Sequence, residues 1–71
     1  MNKSEIGEFL MKRRKALRTG QAELAKLSGV SVHALCNLEN GLGNPTFELL
    51  EKVSDTLGLE MILVPKKMEP K

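Results

Sequence analysis

Apolar positions recur at helical spacing in four stretches of this chain, and residues that start or stop helices bracket each stretch. In the first, Ile6, Leu10, Arg14 and Leu17 share a face, and Ser4 supplies an N-cap. Glu5 and Glu8 put carboxylates near the positive end of the helix dipole, so a helix is expected from about residue 5 to about residue 17. Arg18-Thr19-Gly20 breaks it, and Gly20, or Thr19 just before it, caps a second helix over Gln21 to Ser28. Ser31 caps a third helix from Val32 to Glu39, which Asn40-Gly41 ends. After a loop from Leu42 to Pro45, Thr46 caps a fourth helix in which Phe47, Leu50, Val53 and Leu57 recur; Gly58 stops it at C′.

The pattern then changes. Leu59 to Val64 is short, rich in β-formers and bounded by Gly58 and Pro65, which predicts a strand. A lone strand cannot satisfy its own backbone, and the chain offers no second candidate. Pairing with the same strand of another copy, through Glu60, Met61, Ile62, Leu63 and Val64, is one solution; an apolar segment lying on helix 4 of its own chain is the other. Residues 1–65 read as a single domain and 66–71, with Pro70 and alternating charges, as a disordered tail.

The middle of the chain carries the clearest signal. Leu24 and the small Ala25 face inward from the second helix, Gly29 permits a turn with positive φ, and Val30, Leu35 and Leu38 close the wedge beneath the third. Two short helices crossing through one tight turn make a helix-turn-helix, and the outer face of the third helix is left to enter a DNA groove. A helical hairpin that binds only protein is the alternative.

Size and charge narrow the function. A domain of 71 residues with one cysteine and two phenylalanines has no disulfide framework and a small aliphatic core, so a second copy of the chain is the expected source of added stability. No apolar run is long enough to span a membrane, and the amino terminus mixes charges too early for a secretory segment, which predicts a cytoplasmic protein. The net charge of +2 is unevenly spread: residues 1–30 hold seven Lys or Arg against three Glu, and residues 31–71 four Lys against six acids. Lys12, Arg13, Arg14, Lys15 and Arg18 concentrate the basic surface on the first helix, where Lys12 and Arg13 would flank a phosphate backbone or form an ordinary solvated face.

Residues 21 to 41 resemble the Xre family of regulators, which includes phage repressors and Cro proteins, and nearly the whole chain resembles its HipB-like antitoxin branch. Arg13-Arg14-Lys15-Ala16-Leu17, Gln21-Ala22-Glu23-Leu24-Ala25 and Leu38-Glu39-Asn40-Gly41 carry the family likeness. Asn44-Pro45-Thr46 and Leu57-Gly58-Leu59-Glu60-Met61-Ile62-Leu63-Val64-Pro65 suggest the branch. The resemblance implies a mainly α, lambda-repressor-like bundle of four to five helices that binds operator DNA as a homodimer and represses its own operon. It further implies a toxin partner, often a HipA-type kinase, and a pairing of Arg14 with Glu39 that ties helix 1 to the end of helix 3. The chain departs from the family pattern at Arg18-Thr19-Gly20, where Gly-Leu-Thr is usual, and at Ser28, where a bulkier apolar residue is common. The recognition helix also lacks Arg and Lys.

DNA contacts can then be assigned. Gln21, opening helix 2 beside unpaired backbone amides, and Asn40, closing helix 3, would each hold a phosphate. Ser31, Val32, His33, Cys36 and Asn37 would face the major groove: Asn37 suited to adenine, His33 to guanine N7 or thymine O4, Val32 and Cys36 to a thymine methyl or simply to close backbone approach. Without an arginine fork for guanine, the directly read bases should favour A and T. Two recognition helices reaching successive grooves about 34 Å apart require an inverted-repeat operator. Catalysis or metal binding at His33 and Cys36 lacks a third ligand, and no cofactor is expected. A free-standing or phage-type regulator, and a protein-binding module that neutralises a toxin with little DNA affinity, are the other readings.

Overall fold

A computed structural model describes residues 1–67. Among these residues there are four helices: α1 (Lys3–Ala16), α2 (Gln21–Ser28), α3 (Val32–Glu39) and α4 (Phe47–Thr56). α3 packs against both α1 and α2, and α2 also packs against α4.

α1 starts earlier than its apolar spacing suggests. Its N-cap is Asn2 rather than Ser4: Asn2 Oδ1 accepts from the Glu5 amide at 2.9 Å, and Glu5 Oε1 accepts from the Asn2 amide at 3.0 Å. This reciprocal box satisfies two amides where a serine cap would satisfy one. Ser4 instead lies beneath Gly41, at which a Cβ would come 2.9 Å from Ser4 Cα. The turn after α3 therefore rests directly on the first turn of α1. α3 and α4 start at the expected caps, Ser31 accepting from the Ala34 amide and Thr46 from the Leu49 amide, each at 3.0 Å.

All four helices end in the same motif. The amides of Arg18 and Thr19, Gly29 and Val30, Gly41 and Leu42, and Gly58 and Leu59 turn back onto the last carbonyls, the second of each pair reaching five residues back. The first of each pair has positive φ, and only at Arg18 (φ 55°) is that residue not glycine. Leu17, expected on the inner face, is the cap at which α1 unwinds, and it lies exposed.

The core is made by Leu10, Leu24, Ala25, Leu35, Leu38, Val53 and Leu57, with Ile6, Val30, Leu49, Leu50 and Leu59 at its margin. Phe47, expected to anchor α4, points outward. Ser28 is buried without loss, because its hydroxyl bonds to Thr56 Oγ1 at 2.9 Å and Thr56 in turn donates to the Lys52 carbonyl, tying α2 to α4. Gly7 allows α1 to approach α3: a Cβ there would run into the Leu38 carbonyl oxygen and sit 2.7 Å from that of Glu39.

Beyond Leu59 the described chain has no regular structure, and no strand is present among the described residues. Ile62, Leu63 and Val64 are 70%, 101% and 72% exposed, so the alternative of a segment packed on its own chain holds only for Leu59. A single copy has no strand for this segment to pair with, which leaves its backbone without a ladder. The tail expected over 66–71 lies, from residue 68 onward, outside the described residues. No helix among the described residues is long and apolar enough to cross a membrane.

Candidate nucleic-acid interface

The wedge of Leu24, Ala25, Leu35 and Leu38 is fully buried and turns one side of α3 into the core. A helix with so firm an inner stripe presents its remaining residues outward. Ser31, Val32 and His33 are exposed there, and Cys36 and Asn37 are half-buried beside them. Two side-chain pairs at helical spacing order this face. Asn37 Nδ2 lies 3.3 Å from His33 Nε2, and Asn40 Nδ2 donates to Cys36 Sγ at 3.4 Å. Ser31 caps α3 through a lone pair, leaving its O–H free to donate. The five residues expected to face the groove thus lie together, with Asn40 at one end.

At the same, C-terminal end of α3, the chain buries an ion pair. Arg14 Nε donates to Glu39 Oε2 at 2.7 Å and Arg14 Nη2 to Glu39 Oε1 at 2.8 Å, a two-pronged contact between residues 8% and 5% exposed. The hydrogen bond to Glu39 and its negative charge raise the Arg14 pKa against the opposing effect of burial. Arg14 Nη1 also donates to the Thr19 carbonyl at 3.0 Å, and Gln21 Nε2 to Glu39 Oε1 at 3.0 Å. Every buried polar side-chain atom among the described residues has a partner. One carboxylate therefore joins the end of α1, the start of α2 and the end of α3.

Gln21 is placed more firmly than its expected phosphate role alone requires. Its amide nitrogen is anchored on Glu39, which leaves its other amide hydrogen and its carbonyl oxygen available. Behind it, Gly20 caps α2 without a side chain, in contrast to the capped starts of α1, α3 and α4. The first-turn amides of α2 are thus left for an outside acceptor. The link from Gln21 to Glu39 is not visible from spacing. Its only sequence signal is a glutamine opening one helix and a glutamate closing the next.

The two basic flank residues divide. Lys12 is exposed and makes a 3.6 Å surface pair with Glu8. Arg13 Nε donates to the Leu57 carbonyl at 3.0 Å, which puts its charge at the negative end of α4 and beside the start of the C-terminal segment. Arg13 thus has a structural acceptor 44 residues away that its sequence context does not suggest. His33 and Cys36 gain no third ligand: no group of three or more His, Cys, Asp or Glu that could hold a metal occurs among the described residues.

Comparison with known proteins agrees with this geometry. A family model described as "Helix-turn-helix" matches residues 10–63. The "Cryptic phage CTXphi transcriptional repressor RstR" of Vibrio cholerae serotype O1 is 37% identical over 57 residues, 80% of this chain. The chain spans about half the length of that relative, 51%. A chain of the solved HipA-HipB-O2-O3 complex superposes with a TM-score of 0.84 at 27% identity, covering 94% of both chains. With the wedge, the turn at Gly29 and the outward α3 in place, the chain belongs to the Xre/Cro-type helix-turn-helix family of DNA-binding transcriptional regulators.

Proposed function

We propose that this protein is a dimeric repressor that lays α3 in the major groove of an inverted-repeat operator and serves as the antitoxin of a toxin–antitoxin pair, repressing its own operon. The observation that carries the DNA reading is the outer face of α3, which is uncharged, uncovered and held on a rigid inner wedge. Asn37 reads adenine, His33 a guanine N7 or thymine O4, and Val32 and Cys36 lie against thymine methyls or the backbone, with Ser31 donating at the helix start. Gln21, backed by the uncapped amides of α2, and Asn40 hold phosphates on either side. Lys12 exchanges its surface partner Glu8 for a phosphate, and Arg13 contributes only through the nitrogens that Leu57 leaves unused.

Residues 1–65 form the DNA-binding and dimerisation unit. The exposed Ile62, Leu63 and Val64, together with Phe47 and Met61, which line one groove beside α4, favour pairing of the Glu60 to Val64 segments of two copies. The likeness to a chain from a complex containing HipA supports a toxin partner of the HipA kinase type. The identity to a phage repressor favours a second reading, a phage-type regulator without a toxin. Gel-shift titration with the upstream DNA at increasing salt tests the DNA reading. Affinity should fall steeply with ionic strength as phosphate contacts are lost, and weak, salt-independent binding would leave a protein-binding module. Co-expression with the product of the adjacent reading frame separates the other two: a stoichiometric complex supports the antitoxin, its absence the phage-type regulator.

A further inference from the structure

We propose that His33 is a positioning residue that holds the Asn37 amide in the orientation needed to read adenine. The inference rests on Asn37 reading a base, as set out above. Asn37 Nδ2 lies 3.3 Å from His33 Nε2, one helical turn back on the outer face of α3. With the amide nitrogen facing the ring, Nδ2 donates, Nε2 accepts and the ring proton sits on Nδ1. One Nδ2 hydrogen is thereby engaged, while the second hydrogen and Oδ1 stay free.

Those two groups match the adenine edge, which requires an acceptor for its N6 amino group and a donor for N7. They do not match guanine, whose N7 and O6 both accept. Turning the amide over requires the ring proton on Nε2, where it donates to Oδ1 and leaves the amide with donors only, so the adenine match belongs to the pairing in which Nε2 accepts. The ring also fixes the amide before DNA arrives, which reduces the ordering that binding must impose. His33 thus sets specificity at a base it need not touch.

The test is selection from a randomised duplex library, run in parallel with wild type, Asn37→Ala, His33→Phe and His33→Gln. Asn37→Ala identifies the half-site position that Asn37 reads. There, His33→Phe should lower the preference for adenine over guanine on the order of tenfold. His33→Gln, whose Oε1 can accept from Nδ2 across the same turn, should restore most of it. Both side chains lie on the solvent side of α3, so all variants should melt with wild type. Unchanged adenine preference in His33→Phe, or equal losses in the Phe and Gln variants, overturns the positioning role and leaves base reading by Asn37 standing. No shift at any position in Asn37→Ala, or no enriched motif with wild type, removes the base reading and the proposal together.

Discussion

The chain up to Leu57 and the chain after Gly58 solve opposite problems. In the first region every helix has a cap or a wrapped end, and seven apolar side chains close one core around a buried ion pair whose every polar atom is satisfied. In the second, Ile62, Leu63 and Val64 face solvent, and their backbone has no ladder. The helical body is self-sufficient, whereas the terminal segment is apolar without anything in its own copy to bury it. In the function proposed above, a second copy covers this segment: the body presents the groove-facing helix, and the segment sets how two such helices are spaced.

The sharpest break of the first region is Glu39→Ala. Removing the carboxylate leaves Arg14 buried without its partner and releases Gln21, at a cost of about 3 to 5 kcal/mol. For a domain of this size the melting temperature should drop by well over 10 °C, roughly 4–8 °C per kcal/mol. A melting curve within a degree or two of wild type would mean that the pair contributes no more than a surface one. The matching break of the second region is Ile62→Pro. Proline removes a ladder donor, so pairing of two copies should fail while the helical circular dichroism of the body is kept. Loss of the second half-site should weaken operator binding by at least about a hundredfold. Tight operator binding by a variant that sediments as a monomer would refute the role assigned to the segment.

Gly7→Ala sharpens the comparison inside the body. The added methyl meets backbone oxygens of Leu38 and Glu39 rather than a movable side chain, so α1 must shift off α3. A loss of about 1 to 3 kcal/mol is expected by thermal melting, as for other overpacked contacts, with dimer pairing by residues 60–64 unaffected. This contact also shows what was legible in the sequence. Caps at Ser31 and Thr46, the turn at Gly29 and the wedge under α3 depend on neighbours a few residues away, and local spacing displays them. Arg14 with Glu39 was legible only through family resemblance. The asparagine of the α1 capping box stood in plain view, three residues before Glu5, but Ser4 lies nearer the first apolar residue and draws the cap assignment. Gly7 against Glu39, Arg13 on Leu57 and Gln21 on Glu39 depend on where separate helix ends meet in space. No local periodicity encodes that, and the proposed pairing of residues 60–64 would depend on a second molecule.

The smallest expected effect concerns the one helix end that lacks a glycine. Arg18 holds φ 55° where Gly29, Gly41 and Gly58 serve the other three ends, and both return hydrogen bonds still form, from the Arg18 amide to the Lys15 carbonyl and from the Thr19 amide to the Arg14 carbonyl. A side chain in this conformation costs roughly 1–2 kcal/mol. Arg18→Gly removes that strain but frees the unfolded chain, which offsets roughly 0.4–1 kcal/mol, so the net gain should be under about 1 kcal/mol. The melting temperature should rise by a few degrees. Charge is a confounder, since Arg18 lies near Arg14 and Lys15 on the basic helix, and Arg18→Ala separates the two effects: it removes the same charge but keeps a Cβ in the left-handed region. If the strain argument holds, Arg18→Gly melts above Arg18→Ala. Equal melting of the two would assign any gain to lost repulsion, and the left-handed end of α1 would then carry no stored cost.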